Sequence, residues 1–137
     1  MPKLSSLILL LVMASVGAAV PPFQYDRQLA IELARAYVQS SLRAMPKDAG
    51  LQLDYDKPLV LAAVDHAGRH LVSVTFAAKS GETGGYAVLE RCEETGLLVG
   101  VDAGTVNGIA AYRQQMDAIN PASYVALPRV CPTEDVP

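Results

Sequence analysis

The chain has 137 residues, of which 51% are hydrophobic, and its 11 basic and 14 acidic side chains give a formal net charge of −3. This length suits one domain with a single core. Because Lys and Arg are scattered and the balance is mildly acidic, the composition argues against nucleic acid or anionic lipid as a partner.

Residues 1–19 have the order of parts typical of a secretory signal peptide. Lys3 gives a short positive region, residues 7–12 form an apolar core, and small side chains at 17–19 precede the expected cleavage point. The apolar core is shorter than the roughly 20 residues that a membrane-spanning helix needs. We therefore expect an exported, periplasmic or secreted protein whose residues 20–137 form one mature domain, with retention of the leader as an anchor as the alternative.

Residues 26–45 carry the pattern of an amphipathic helix of about 18 residues. Asp26 suits the N-cap position, and Pro46 ends the helix. The polar stripe consists of Gln28, Glu32, Arg35, Gln39 and Arg43, and the apolar side consists of Ala30, Leu33, Ala34, Tyr37 and Ser41, flanked by Leu29, Ile31 and Val38. The small residues on the apolar side would let another layer of structure come close.

Alternating apolar and polar residues then predict two β-hairpins. The first joins strands at 59–65 and 70–78, after an alternation at 51–55 that allows a short edge strand. The second joins a strand that begins at Tyr86 to a last strand at 97–101. Its turn is Glu94-Thr95-Gly96, where Gly96 supplies a positive φ. The segment between the hairpins, 79–85, is expected to be a flexible loop.

The pattern changes again after Gly104. Helical spacing predicts a short second helix, carried by Ile109, Tyr112, Met116 and Ile119 and ended by Asn120-Pro121, and the proline-rich tail is expected to be irregular. The fold class is therefore α+β, with one long N-terminal helix packed on a four-stranded antiparallel meander sheet, a short C-terminal helix and an irregular tail.

The chain contains two cysteines, Cys92 and Cys131, and both follow the leader. An even number of cysteines in an exported protein predicts a disulfide, with two unpaired thiols as the alternative. The carboxylates of Glu93 and Glu94 beside Cys92 would raise the pKa of its thiol, which is the wrong direction for a nucleophile.

Two features resemble known families of small exported domains. The helix-first order and the run Tyr86-Ala87-Val88-Leu89 followed by Thr95-Gly96-Leu97-Leu98-Val99 resemble PepSY modules and, more widely, cystatin-like and NTF2-like folds. The run Gly84-Gly85-Tyr86-Ala87-Val88 is similar to the glycine-pair hairpin of NTF2-fold immunity proteins. The resemblance covers about residues 26–103 and implies a non-catalytic role, either peptidase inhibition and periplasmic binding or the blocking of a toxin. The cystatin inhibitor loop, Gln-x-Val-x-Gly, is absent, which argues against inhibition of papain-type proteases.

Both histidines lie in the segment Asp65-His66-Ala67-Gly68-Arg69-His70. A His-x-x-x-His spacing aims two imidazoles in one direction only on a helix, so Gly68 and the flanking strands favour an exposed turn over a metal site or a general base. In 79–85 the Lys and Ser precede the glycines, which is the reverse of a phosphate-binding loop. Glu90, Glu93, Glu94 and Asp102 predict an acidic patch that is either solvated or faces a partner.

We therefore expect a non-enzymatic binding protein of the inhibitor or immunity type, with no cofactor or metal, that docks a protein partner. Loops on a stiff sheet present contacts, so the candidate contact residues are Lys79, Ser80, Glu82, Thr83, His66, Arg69 and Glu94. The alternative is a small-ligand-binding protein or an NTF2-like enzyme that uses a cavity between helix and sheet. A purely structural role in the cell envelope is a third hypothesis.

Overall fold

The computed structural model describes residues 21–48, 50–65, 67–79, 83–108 and 128–132. The elements in chain order are the helix α1 (Arg27–Ala44), a 3-10 turn (Pro46–Asp48), β1 (Leu59–Val64), β2 (His70–Ala77), β3 (Thr83–Arg91) and β4 (Leu98–Asn107). One helix packs on a four-stranded antiparallel sheet, which confirms the predicted α+β class. The leader at 1–19 and the predicted second helix lie outside the described residues. Within the described part, no helix has the length and apolar character that crossing a membrane requires.

Local interactions set both ends of α1. The Asp26 side chain accepts a hydrogen bond from the Leu29 backbone N–H at 3.0 Å, which satisfies one of the free donors of the first turn. At the other end, the Met45 N–H donates to the Leu42 carbonyl at 3.3 Å, and Pro46 follows. The helix therefore begins after its cap and ends directly before the proline.

The buried face of α1 consists of Ala30, Ala34, Val38 and Leu42, at a spacing of four residues. The prediction that Tyr37 belongs to the apolar core side is wrong, because its side chain is 41% exposed. The helix lies mainly over β3 and β4, so Tyr37 reaches the last strand of the sheet. There its hydroxyl accepts a hydrogen bond from the Gly100 N–H at 3.3 Å.

The four strands form a meander in the order β1-β2-β3-β4, as predicted. The predicted boundaries differ at two places. β3 already begins at Thr83, so Gly84 and Gly85 belong to the sheet and pair with β4, which itself extends to Asn107. A Cβ atom on Gly85 would lie 2.7 Å from side-chain atoms of both Val38 and Leu53. The glycine looks like a loop residue in the sequence, but the close approach of the helix requires it.

β2 and β3 are buried on both faces. Toward α1 they present Val72, Val74, Phe76, Ala87 and Leu89, all fully buried. On the opposite face Leu71, Ser73, Thr75 and Val88 are also buried. In these two central strands, alternate side chains are therefore not divided into a solvent-exposed face and a buried face, as they are in a sheet with one solvated side.

The segment before β1 contributes to the core without becoming a strand. The expected edge strand is reduced to a single bridge between Leu53 and Ala78. The Tyr55 ring packs edge-on against Phe76, with 5.0 Å between the ring centroids, and the Arg35 guanidinium carbon lies 5.0 Å from the Tyr55 centroid. Burial raises the pKa of Tyr55, while the nearby Arg35 charge acts in the opposite direction.

Replacing Gly85 with Ala tests the close contact between helix and sheet. We expect a loss of about 1–3 kcal/mol in the free energy of unfolding, because the new methyl group overpacks a buried contact. Gly50→Ala is the matched control, since a Cβ there meets no atom within 4 Å, and it should leave the stability nearly unchanged. Urea denaturation of the two variants measures both values. Equal stability of Gly85→Ala and the wild type would show that α1 does not approach β3 this closely.

Candidate functional site

A cleft of about 440 Å³ lies at the end of the sheet where β2 begins and β3 ends. The turn between β1 and β2, the turn between β3 and β4, and the tail segment 128–132 meet there. Charged side chains of both signs line it, namely Arg69, Arg91, Arg129, Glu90, Glu93 and Glu94. A concave site with several converging polar groups is the usual form of a binding site.

Backbone hydrogen bonds fix both turns. Asp65 Oδ1 accepts from the N–H groups of Ala67 at 2.9 Å and Arg69 at 2.8 Å, and the Gly68 N–H donates to the Asp65 carbonyl at 3.0 Å. In the second turn the Gly96 N–H donates to the Cys92 carbonyl at 2.7 Å. Gly96 has a φ of 72°, which confirms the positive φ predicted for it. Two walls of the cleft are therefore tight, ordered turns.

The third wall is held by a disulfide. Cys92 and Cys131 are bonded, with their Cα atoms 5.4 Å apart, which confirms the predicted pair. Cys92 follows β3 directly and is buried, so the bond fixes the segment 128–132 to the end of that strand.

A buried ion pair lies next to the disulfide. The guanidinium of Arg69 donates to Glu90 Oε1 from Nη2 at 2.8 Å and from Nε at 3.2 Å, and Nη2 also donates to the Pro128 carbonyl at 3.0 Å. The two side chains are only 5% and 10% exposed. The expectations of an exposed turn at Arg69 and a solvated or partner-facing acidic patch at Glu90 are therefore wrong. Both side chains lie on the sheet face opposite α1, where the tail carbonyl meets them.

His70 and Arg91 are direct cross-strand partners on the other face, the one toward α1. Phe23 contacts both, since its ring centroid lies 4.7 Å from that of His70 and 5.6 Å from the guanidinium carbon of Arg91. His70 Nδ1 lies 3.8 Å from Glu93 Oε1, which is too long for a hydrogen bond. Within the described residues, His70 Nδ1 and Arg91 Nε are buried and have no hydrogen-bond partner.

The structure divides the predicted contact residues between the two ends of the sheet. Arg69 and Glu94 line the cleft, whereas Lys79 and Thr83 lie at the far end of β2 and β3. β2 separates the two ends by roughly 24 Å at the usual rise per residue. His66, Ser80 and Glu82 lie outside the described residues. The predicted residues therefore do not form one surface.

Sequence reasoning missed several residues that build the site. Phe23 lies before the predicted helix and belonged to no predicted element, and Arg91 and Arg129 belonged to no motif. The available signal was positional, because Arg69-His70 and Glu90-Arg91 are adjacent charged pairs at the start of β2 and the end of β3. Once the register of these strands is known, alternation puts Arg69 and Glu90 on one face and His70 and Arg91 on the other.

The arrangement suits recognition of a polar or charged group. Both cysteines are bonded to each other, so neither supplies a thiolate. Among the described residues, no group of three or more His, Cys, Asp and Glu side chains is placed to hold a metal ion. The cleft can instead bind polar or charged groups through the Arg and Glu side chains that line its walls.

Comparison with known proteins gives no relative, since no family model, curated protein or solved structure matches the chain. The resemblance to cystatin-like and NTF2-like domains therefore stays a prediction from the sequence.

Replacing Glu90 with Leu tests the buried ion pair. We expect it to lower the free energy of unfolding by about 3–5 kcal/mol, because Arg69 loses its carboxylate in a buried position. The double variant Arg69→Met/Glu90→Leu removes both charges and should recover most of this loss. Chemical denaturation of the oxidised proteins measures the difference. A Glu90→Leu variant as stable as the wild type would contradict a buried pair.

Removing the disulfide tests how firmly the tail is fixed. The double variant Cys92→Ala/Cys131→Ala should lose about 4 kcal/mol, the value that the loop-entropy model gives for the 39-residue separation. Wild-type protein in reductant should lose a similar amount, while the variant should not respond to reductant. Unchanged stability of the reduced wild type would show that the bond does not constrain the fold.

Proposed function

We propose that this chain is an exported, non-enzymatic binding protein, of the inhibitor or immunity type, that docks a protein partner through the cleft at the end of its sheet. The supporting observation is the set of uncompensated charges at that cleft. Within the described part of the chain, the side chains of Arg91 and Arg129 form no ion pair and no hydrogen bond. Charged groups that a fold does not use internally are available to recognise a partner.

The rigidity of the walls favours binding. The Asp65 turn, the Cys92–Cys131 bond and the Arg69–Glu90 pair each fix one wall before any ligand arrives. A preformed site loses less conformational entropy on association than a flexible loop does. This favours the cleft over the loop at 79–85 as the main contact surface.

The interface between helix and sheet gives less support to the alternative, a ligand cavity at that place. Ala30, Ala34 and Val38 are fully buried, and so are Val74 and Leu89 on the facing strands. Side chains packed to this degree fill the space that a ligand would need. The inhibitor or immunity class comes from the sequence resemblance, and export comes from the leader at 1–19 together with the disulfide.

The test begins with the oxidised chain 20–137 as bait for envelope and secreted proteins of its own source. The expected result is a stoichiometric complex that reforms from purified components and in which the partner loses its activity. Glu94→Lys and Arg129→Glu should each weaken this complex at least tenfold, since they reverse charges at the cleft. Glu32→Lys on the exposed side of α1 and Lys57→Glu near the far end of the sheet are matched controls and should have no effect.

Two results would overturn this proposal. If Lys79→Glu weakens the complex and the cleft variants do not, the partner binds at the opposite end of the sheet. If no protein partner forms a complex and small molecules raise the melting temperature instead, the function belongs to ligand binding.

A further inference from the structure

Within the described residues, Arg91 is a cation without an ion-pair partner. Its side chain is half-buried at the end of β3, and its guanidinium carbon lies over the Phe23 ring, 5.6 Å from the centroid. Its Nε is buried and has no hydrogen-bond partner there. Charged groups that are largely removed from water are normally paired, so an unpaired one at the wall of a cleft lacks an anion.

His70 extends this site. It lies directly opposite Arg91 in the antiparallel pair of β2 and β3, and its side chain is 19% exposed. Side chains of directly opposite residues start about 4.5–5.5 Å apart, so one planar group with two acceptor oxygens can reach both. Phe23 packs against both side chains and limits their rotation.

Glu93 shows which kind of group fits. Its carboxylate lies 3.8 Å from His70 Nδ1, which is too far for a hydrogen bond. The Glu93 side chain is 75% exposed and belongs to the turn after β3, so it can move away at little cost. The Glu93 carboxylate therefore lies beside His70 without a hydrogen bond to it. The carboxylate of a ligand that made this hydrogen bond would displace Glu93.

We propose that His70 and Arg91 form a subsite for a carboxylate group of a peptide ligand, with Phe23 as its floor and Glu93 as an internal competitor. This inference rests on the proposed function and gives the chemistry that the partner must present. Arg91 Nε carries a hydrogen and His70 Nδ1 can carry one, so an anionic oxygen group can satisfy both unpartnered atoms. The planar guanidinium matches a carboxylate in geometry, which favours this group over a neutral amide.

The carboxylate has two sources in a peptide, the chain end and an acidic side chain. Three probes separate them: acetyl-Ala-Ala-Ala with a free carboxylate, the same peptide as its amide, and acetyl-Ala-Glu-Ala amide. Each is titrated into the ¹⁵N-labelled, oxidised, processed protein, and the shifts of the His70 and Arg91 amide signals are followed. We expect at least one carboxylate peptide to bind ten times more tightly than the neutral amide, and the stronger of the two identifies the source.

Variants then assign the subsite. Arg91→Gln should weaken carboxylate binding at least tenfold, with a thermal unfolding midpoint that shows the fold is kept. Glu93→Gln should tighten binding several-fold, because it removes the competing carboxylate. Glu32→Gln removes the same charge from the exposed side of α1 and is the matched control, with less than a twofold change expected.

Equal binding of the acid and amide peptides, or equal effects of Glu93→Gln and Glu32→Gln, would overturn the subsite. A protein partner that binds Arg91→Gln as well as it binds the wild type would overturn the subsite and leave the proposed function standing. Carboxylate peptides that bind without any protein partner would support the subsite and overturn the proposed function.

Discussion

The ion pair between Arg69 and Glu90 joins three parts of the chain that are distant in sequence. Arg69 precedes β2, Glu90 lies near the end of β3, and the same guanidinium reaches the Pro128 carbonyl of the tail. A buried charge is stable only when it is well paired, so each partner restricts where the other two can lie. The cleft depends on this restriction, because its walls are the strands and the tail that the pair brings together.

The two neighbouring side chains at each strand end lie in different environments, because successive side chains of a strand point to opposite faces of the sheet. On one face Arg69 and Glu90 neutralise each other and are buried. On the other face the next residues along, His70 and Arg91, contact Phe23, and each has a buried nitrogen atom with no hydrogen-bond partner among the described residues. The first pair accounts for stability at this end of the sheet. The second pair is not neutralised within the described residues and can therefore accept an anionic ligand.

Local patterns predicted the parts of the fold that depend on local rules. The Asp26 cap, the alternation of the hairpins and the positive φ at Gly96 are such cases. Features that depend on tertiary contacts were not predictable in this way. The sequence does not show that α1 comes near enough to require Gly85, nor that the tail buries Arg69. The site was hidden for the same reason, since it is assembled from strand ends, a residue that precedes α1 and a distant tail.

The disulfide has a consequence for when the protein becomes competent to bind. Cys92 and Cys131 lie 39 positions apart, so the bond cannot form until both segments have been synthesised, and it needs an oxidant that the cytosol does not provide. A newly made, reduced chain would contain the folded sheet without a covalently fixed third wall. If the cleft is the docking surface proposed above, that surface would reach its final form only in an oxidising compartment.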